Sequence, residues 1–204
     1  WFEVTELAAS ERSAGKRYAD ATHWLEGELP RELADRTVLP CDPNEISAPI
    51  VFSALDAAAA GELEPAFARS GALVLSNAKN FRMDPDVPLV IPEVNASHLA
   101  LLEQQRRSRG WSGGIVTNAN CAATVATVAL APLHEAFGVR QVFAVTMQAV
   151  SGAGYPGVPS LDILGNVIPY IPEEAAKMER EVVKILGRTE GEEIVDAPFP
   201  VSAM

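Results

Sequence analysis

Apolar runs of strand length recur through the first half of the chain as FEVTEL (2–7), PIVFSAL (49–55), ALVLSN (72–77), PLVIPEV (88–94) and GGIVT (113–117). Between them lie DAAAAGELEPAFARSG (56–71) and ASHLALLEQQRRSRG (96–110), which have helical character. Strands that alternate with helices pair in parallel, so the pattern predicts an α/β fold built on a doubly wound parallel sheet. FEVTEL has no element before it and runs straight into the polar SERSAGKRY. That order suits the second strand of a nucleotide-binding α/β unit better than the first, so the chain is expected to begin inside a domain.

The texture changes after residue 120. A long strand, RQVFAVTMQAV (140–150), leads into SGAGYPGVPSLDILGNVIPYIP (151–172), whose glycines and prolines are expected to forbid any regular helix. PEEAAKMEREVVKILG (172–187) then reads as an amphipathic helix, with Pro172 in its first turn, Glu173 and Glu174 at its N-terminal end and Gly187 as its stop. EIVDAPFPVSAM (193–204) reads as one final strand. Two domains are expected, residues 1–120 as a parallel-sheet domain and 121–204 as an α+β domain, with no internal repeat.

Composition narrows the partners. The 204 residues are 48% apolar and 6% aromatic, which suits an aliphatic α/β core. With 27 acidic against 16 basic residues the net charge is −11, which disfavours nucleic acid and anionic membranes and favours a small-molecule partner. No segment carries the ~18 apolar residues of a spanning helix. Two cysteines make no disulfide framework, so a cytoplasmic location is expected, with both thiols free.

Cys121 stands where the strand GGIVT gives way to an apolar helix. In a first helical turn, unpaired backbone N–H groups and the positive end of the dipole favour a nucleophilic thiolate. Equally, a small residue beside Ala122 and Ala123 can simply fill core. Cys41, in a Pro/Asp-rich loop, reads as structural. Gly152, Gly154 and Gly157 match G-x-G-x-x-G after a strand, but no helix opens behind them, so they do not form a phosphate cradle. They read instead as a loop that lets backbone approach a flat ligand. Ser10, Arg12, Ser13 and Lys16 crowd the turn after the first strand, where an arginine accommodates the 2′-phosphate of NADP, or else form a solvated basic turn. His23, His98 and His134 show no metal-ligand spacing, and His23 and His98 read as surface residues. His134 lies thirteen residues along the helix from Cys121, roughly 20 Å away, too far to be its base.

The segments AASERSAGKRY, SNAKNFRMDPDVPLVIPEVN, IVTNANCAAT, QAVSGAGYPGVPSLDILGNVIPYI and EEAAKMEREVVKILG, in this order, resemble aspartate-β-semialdehyde dehydrogenases of the archaeal and fungal branch. The resemblance implies a Rossmann-like NADP-binding domain followed by a catalytic and dimerisation domain, assembled as a homodimer or homotetramer. It implies reduction of L-aspartyl-4-phosphate to L-aspartate-4-semialdehyde, with release of phosphate, in lysine, threonine and methionine biosynthesis. By matching position, Cys121 is the nucleophile, Asn120 orients substrate and Gln148 binds it. Arg82 holds phosphate, and Glu174 and Lys177 form a substrate and phosphate pair one helical turn apart. Ser10, Arg12 and Ser13 contact the cofactor's 2′-phosphate, Ser76 and Asn77 lie along the cofactor, and Ser151, Gly152, Ala153 and Gly154 border the nicotinamide.

Two departures accompany the resemblance. Ala122-Ala123 replace a Ser-Thr pair common after the family's cysteine. The family's pyrophosphate-binding glycine turn, its carboxylate-gripping arginine and its acid/base histidine should all lie outside Trp1–Met204, so the chain is expected to be an internal fragment that is inactive by itself. The alternatives are an NADP-linked reductase of another acyl phosphate or an acyl-CoA, as in malonyl-CoA reductase, and a non-catalytic association module.

Overall fold

The structure is a computed structural model that describes residues 2–25 and 27–204. In chain order it contains β1 (Ala8–Ala9), α1 (Tyr18–Ala21), α2 (Arg31–Ala34), β2 (Leu39–Pro40), β3 (Ile50–Ser53), α3 (Ala57–Ser70), β4 (Leu73–Ser76), α4 (Pro92–Asn95), α5 (Leu101–Arg109) and β5 (Gly114–Thr117). The second half adds α6 (Cys121–Phe137), β6 (Val142–Ala144), α7 (Ser160–Ile163), α8 (Glu174–Ile185), β7 (Arg188–Glu190), β8 (Glu193–Val195) and β9 (Val201–Ala203). The fold is mixed α/β with parallel pairing in three of its sheets, β1-β2, β3-β4-β5 and β6-β9, while β7 and β8 form an antiparallel hairpin.

Two compact units emerge, and they interleave in sequence. One takes the residues up to Asn80 together with Leu102–Val116, and the other takes Phe81–Leu101 with Thr117–Met204. In the first unit the β3–β4 register sets Ser53 opposite Ser76. Both hydroxyls donate to Glu64 Oε1 of α3, at 2.6 and 2.7 Å, so a buried carboxylate ties the helix to two strand ends. Asp56 starts α3 by accepting the Ala58 and Ala59 amides, and Gly71 ends it at φ 112°, a conformation open to glycine. Gly113 leaves no room for a side chain, because a Cβ there would stand 2.1 Å from the Ala72 carbonyl oxygen.

In the second unit α6 lies along α8. Ala123, Met178 and Val182 form a buried cluster, joined by Ala126, Leu130, Ala144 and Val201. Ala123 is fully buried in it, so this alanine is a packing position on the face toward α8. Leu89, Ile91, Ala119 and Ile185 make a second cluster beneath the start of α6.

Several sequence expectations change here because a strand forms only where a partner supplies N–H and C=O groups. RQVFAVTMQAV pairs with β9 over Val142–Ala144, and the Thr146 amide continues the ladder to the Met204 carbonyl, with Val145 and Met147 70% and 97% exposed. FEVTEL is not a strand; the paired segment is Ala8–Ala9. PLVIPEV contributes one bridge, Leu89 to Thr117, and the last segment divides into β8 and β9. One helical turn, α7, does form inside the Gly/Pro-rich loop. The amphipathic helix begins at Glu174, two residues after Pro172, because Glu173 takes a left-handed φ of 64°.

His98 is buried, contrary to the expectation of a surface position. Asn95 already donates from Nδ2 to the Leu89 carbonyl and accepts the Ile91 amide at Oδ1, so its remaining Nδ2 proton points at His98 Nδ1, 2.9 Å away. His98 therefore accepts at Nδ1 and donates from Nε2 to the Gly187 carbonyl, as a neutral imidazole. Burial holds its pKa below the usual 6.5, the nearby Lys184 charge acts in the same direction, and the Gly187 bond opposes.

Two outcomes follow from this packing. Gly113→Ala forces a methyl group into backbone, so urea unfolding should register a loss of about 1–3 kcal/mol; an unchanged midpoint would contradict the tight contact. Because the folded His98 pKa lies below 6.5, the unfolded chain binds the extra proton, and stability should fall as pH drops from about 6.5 toward the folded value. His98→Gln should flatten that slope, and equal slopes in the two proteins would clear His98 as its source.

Candidate active site

The site grows from the start of α6. Asn120 precedes the helix in extended geometry, and its Oδ1 accepts the Ala123 amide at 3.1 Å, while its carbonyl takes the Thr124 amide and hydroxyl. This cap fixes Cys121 as the first residue of a 17-residue helix, exposed to solvent, with the positive end of the helix beneath its sulfur. Gln148 Nε2 donates to Cys121 Sγ at 3.6 Å. The amide reaches that place because residue 152 is glycine: a Cβ there would stand 2.6 Å from Gln148 Nε2. Ser151, Gly152 and Ala153 belong to a short 3-10 turn, Val150–Ala153, closed by Gly154 at φ 69°. Thus Asn120, Cys121, Gln148 and the 151–154 turn come together.

Arg82, expected in a polar loop, is 8% exposed, and its Nη1 donates to Glu181 Oε1 at 3.0 Å. The other oxygen of Glu181 accepts the Asn120 backbone amide at 2.6 Å. One turn further along α8, Lys184 Nζ donates to the carbonyls of Arg82, Asp84 and Val87 at 2.7, 2.8 and 3.0 Å. Burial lowers the Lys184 ammonium to about 8, against the pull of Asp84, Asp196, Asp86 and Glu181. At the other end of the helix Glu174 Oε2 accepts Asn120 Nδ2 at 3.1 Å, and Lys177 stands 3.4 Å from Glu173.

Glu181 and Lys184 were not among the residues expected from sequence, yet a signal was present. The pattern E-x-x-K occurs twice in α8, at 174/177 and again at 181/184, seven residues and about two turns apart. Only the first copy matched the motif.

The remaining candidates lie in the first unit or outside this cluster. Ser10, Arg12 and Ser13 sit in a tight turn directly after β1, in which the Ser10 carbonyl accepts the Ser13 and Ala14 amides; Ser10 and Arg12 are exposed and Ser13 is half-buried. Asn77 is exposed at the end of β4, its amide bonded to the Ser53 carbonyl. Ser76 is buried, with its hydroxyl given to Glu64 and accepting the Ala78 amide, so its side chain is already committed. Burial and Asp42 push the Cys41 thiol upward, the wrong direction for a nucleophile. His134 accepts the Val139 amide at Nδ1 and packs edge-on against Phe199, closing the far end of α6. Among the described residues no cluster of His, Cys, Asp and Glu is arranged to hold a metal ion, and no helix is long and apolar enough to cross a membrane.

Known proteins resemble this chain over nearly all of its length. Residues 1–102 match the family described as semialdehyde dehydrogenase, NAD binding domain, and residues 130–204 match its dimerisation domain. An aspartate-semialdehyde dehydrogenase of Archaeoglobus fulgidus is 51% identical over 204 residues, 100% of this chain and 59% of that protein. A malonyl CoA reductase (NADP) of Metallosphaera sedula is 42% identical over 180 residues, 87% of this chain and 50% of that protein. The solved aspartate semialdehyde dehydrogenase with NADP from Candida albicans superimposes at a TM-score of 0.88 with 42% identity, covering 99% of this chain and 59% of that one. The chain therefore spans somewhat more than half the length of such relatives. On the capped cysteine helix, the parallel-sheet unit and these matches together, the chain belongs to the semialdehyde dehydrogenase family.

Proposed function

We propose that the protein is an NADP-dependent aspartate-semialdehyde dehydrogenase that converts L-aspartyl-4-phosphate to L-aspartate-4-semialdehyde and phosphate, in the cytoplasm, on the route to lysine, threonine and methionine. The observation that carries the reading is Cys121, exposed at the first position of α6, with the Gln148 amide 3.6 Å from its sulfur. The thiolate attacks the acyl-phosphate carbonyl, the C–O bond to phosphate breaks, and the acyl group remains on sulfur as a thioester. The cap occupies the Ala123 and Thr124 amides, leaving those of Cys121 and Ala122 as donors for the oxyanion that forms during attack. Gln148 holds the substrate beside the sulfur and Asn120 orients it, Glu174 and Lys177 act as a substrate and phosphate pair, and Arg82 receives the phosphate.

The residues present fit a dinucleotide with a 2′-phosphate: an exposed arginine and two serines lie in the turn after a parallel strand, and Asn77 is exposed at another strand end. When bound, NADP(H) exchanges a hydride with the acyl carbon. Ser10, Arg12 and Ser13 would hold its phosphate, Asn77 and the Ser76 backbone would lie along it, and Ser151 to Gly154 would border the nicotinamide. The buried Ser76 hydroxyl leaves that residue only its backbone for the task. Residues 1–120 carry the cofactor role and 121–204 the catalytic and dimerisation roles, with Arg82 reaching the latter by folding into the second unit. Association as a homodimer or homotetramer is supported by the exposure of Phe143, Met147, Tyr155, Leu161 and Tyr170, between 69% and 97%.

The reading is tested by NADPH formation from aspartate semialdehyde, phosphate and NADP in the intact protein. Cys121→Ser should lower kcat by about a thousandfold or more, and unchanged turnover would sink the nucleophile. Activity with coenzyme A in place of phosphate would favour the malonyl-CoA reductase type. Gly152→Val, which pushes Gln148 off the sulfur, should lower kcat by about tenfold or more with little change in the melting temperature. A full-rate Gly152→Val enzyme would remove Gln148 from the reaction.

A further inference from the structure

We infer that the second E-x-x-K pair of α8, Glu181 and Lys184, holds the Arg82 loop and the cap of the nucleophile's helix in one frame, so that Glu181 is a positioning residue for phosphate. The inference rests on the proposed reading of Arg82 and Cys121.

Glu181 is 2% exposed and has two oxygens with two different jobs. Oε1 takes Arg82 Nη1 at 3.0 Å and Oε2 takes the Asn120 amide at 2.6 Å. A single planar carboxylate thus spans the distance between the guanidinium and the residue before Cys121. A buried carboxylate is costly unless both oxygens are bonded, and here a cation and a backbone donor meet that need. Lys184 fixes the rest of the loop, since its three bonds go to main-chain carbonyls at 82, 84 and 87. Carbonyl acceptors make this a clamp on backbone position.

The arrangement has a chemical consequence. Arg82 is held at one Nη by Glu181, which fixes the plane of the guanidinium and therefore the direction in which an anion can be received. The same carboxylate pulls on the amide of Asn120, whose side chain caps α6. Movement of the guanidinium on binding phosphate is transmitted through one rigid group to the start of the helix that carries the sulfur. Glu174 meets Asn120 from the substrate end of α8, so the Asn120 backbone and side chain are both gripped by one helix.

The test uses three variants of the intact protein in the phosphate-dependent assay. Glu181→Gln keeps the shape but offers one acceptor where two are needed, so the KM for phosphate should rise by about tenfold or more. The KM values for aspartate semialdehyde and NADP should stay within about twofold, while the melting temperature should fall, because the buried Arg82 guanidinium loses its paired charge. Arg82→Ala should raise the same KM, and the Arg82→Ala/Glu181→Gln double variant should be no worse than Arg82→Ala alone, because the two act as a unit. If Glu181→Gln does not fold, Glu181→Asp, which keeps the charge but withdraws it by one methylene, should give the same split. A fall in kcat with no selective rise in the KM for phosphate, or additive effects in the double variant, would overturn the positioning role. An Arg82→Ala enzyme with normal phosphate KM would instead overturn the reading of Arg82 itself.

Discussion

The backbone amide of Asn120 and the carboxylate of Glu181 meet at 2.6 Å, and the geometry of the whole site depends on that bond. Every polar atom of Asn120 is committed: the amide to Glu181, Nδ2 to Glu174, Oδ1 to Ala123, and the carbonyl to Thr124. A helix start leaves its first amides unpaired by construction, and this residue decides which of them are satisfied and which stay available. Cys121 is exposed without being loose, because the residue before it has no freedom left.

The charges at this centre are buried, and burial makes pairing obligatory. Arg82 and Glu181 neutralise each other at 3.0 Å, while Lys184 replaces its lost hydration with three carbonyls. Such an arrangement adds little net stability compared with apolar packing, but it penalises any other placement of the loop, since each alternative would strand a charge. The apolar side of the same helix, Met178, Val182 and Ile185, supplies the hydrophobic attraction. α8 thus divides its work by face: one stripe packs, the neighbouring stripe positions.

Period and punctuation made much of the fold legible. β3, β4, β5, α3 and α6 appear where apolar runs and helix spacing predict them, because their periodicity is strong and the helix ends carry Asp56, Gly71 and Asn120 as local signals. The strand at 140–150 pairs with β9, about sixty residues away, a contact that nothing local encodes. His98 misled for a similar reason: its neighbours in sequence are polar, but it is buried through Asn95 and the Gly187 carbonyl, which lies across the fold. In the site, Cys121 beside Asn120 was readable as a helix start, whereas Gln148 came only with the family resemblance, as a substrate-binding residue, and its approach to the sulfur is a tertiary contact. Glu181 and Lys184 were hidden because a charged residue in an amphipathic helix ordinarily faces water, and only the long-range contacts reveal that these two face inward.

The seven-residue interval between the two E-x-x-K pairs makes α8 a measuring rod. Two helical turns separate Glu174 from Glu181 by about 10 Å on one face, and both carboxylates end on the same asparagine, one at its side chain and one at its backbone. Loops can gain or lose residues by bulging, but a helix cannot: one residue inserted between positions 177 and 181 would rotate everything after it by about 100° and carry Glu181 away from Arg82. Length in this stretch is therefore held as tightly as residue identity. The tolerance for insertion that loops enjoy ends where α8 begins, at Glu174.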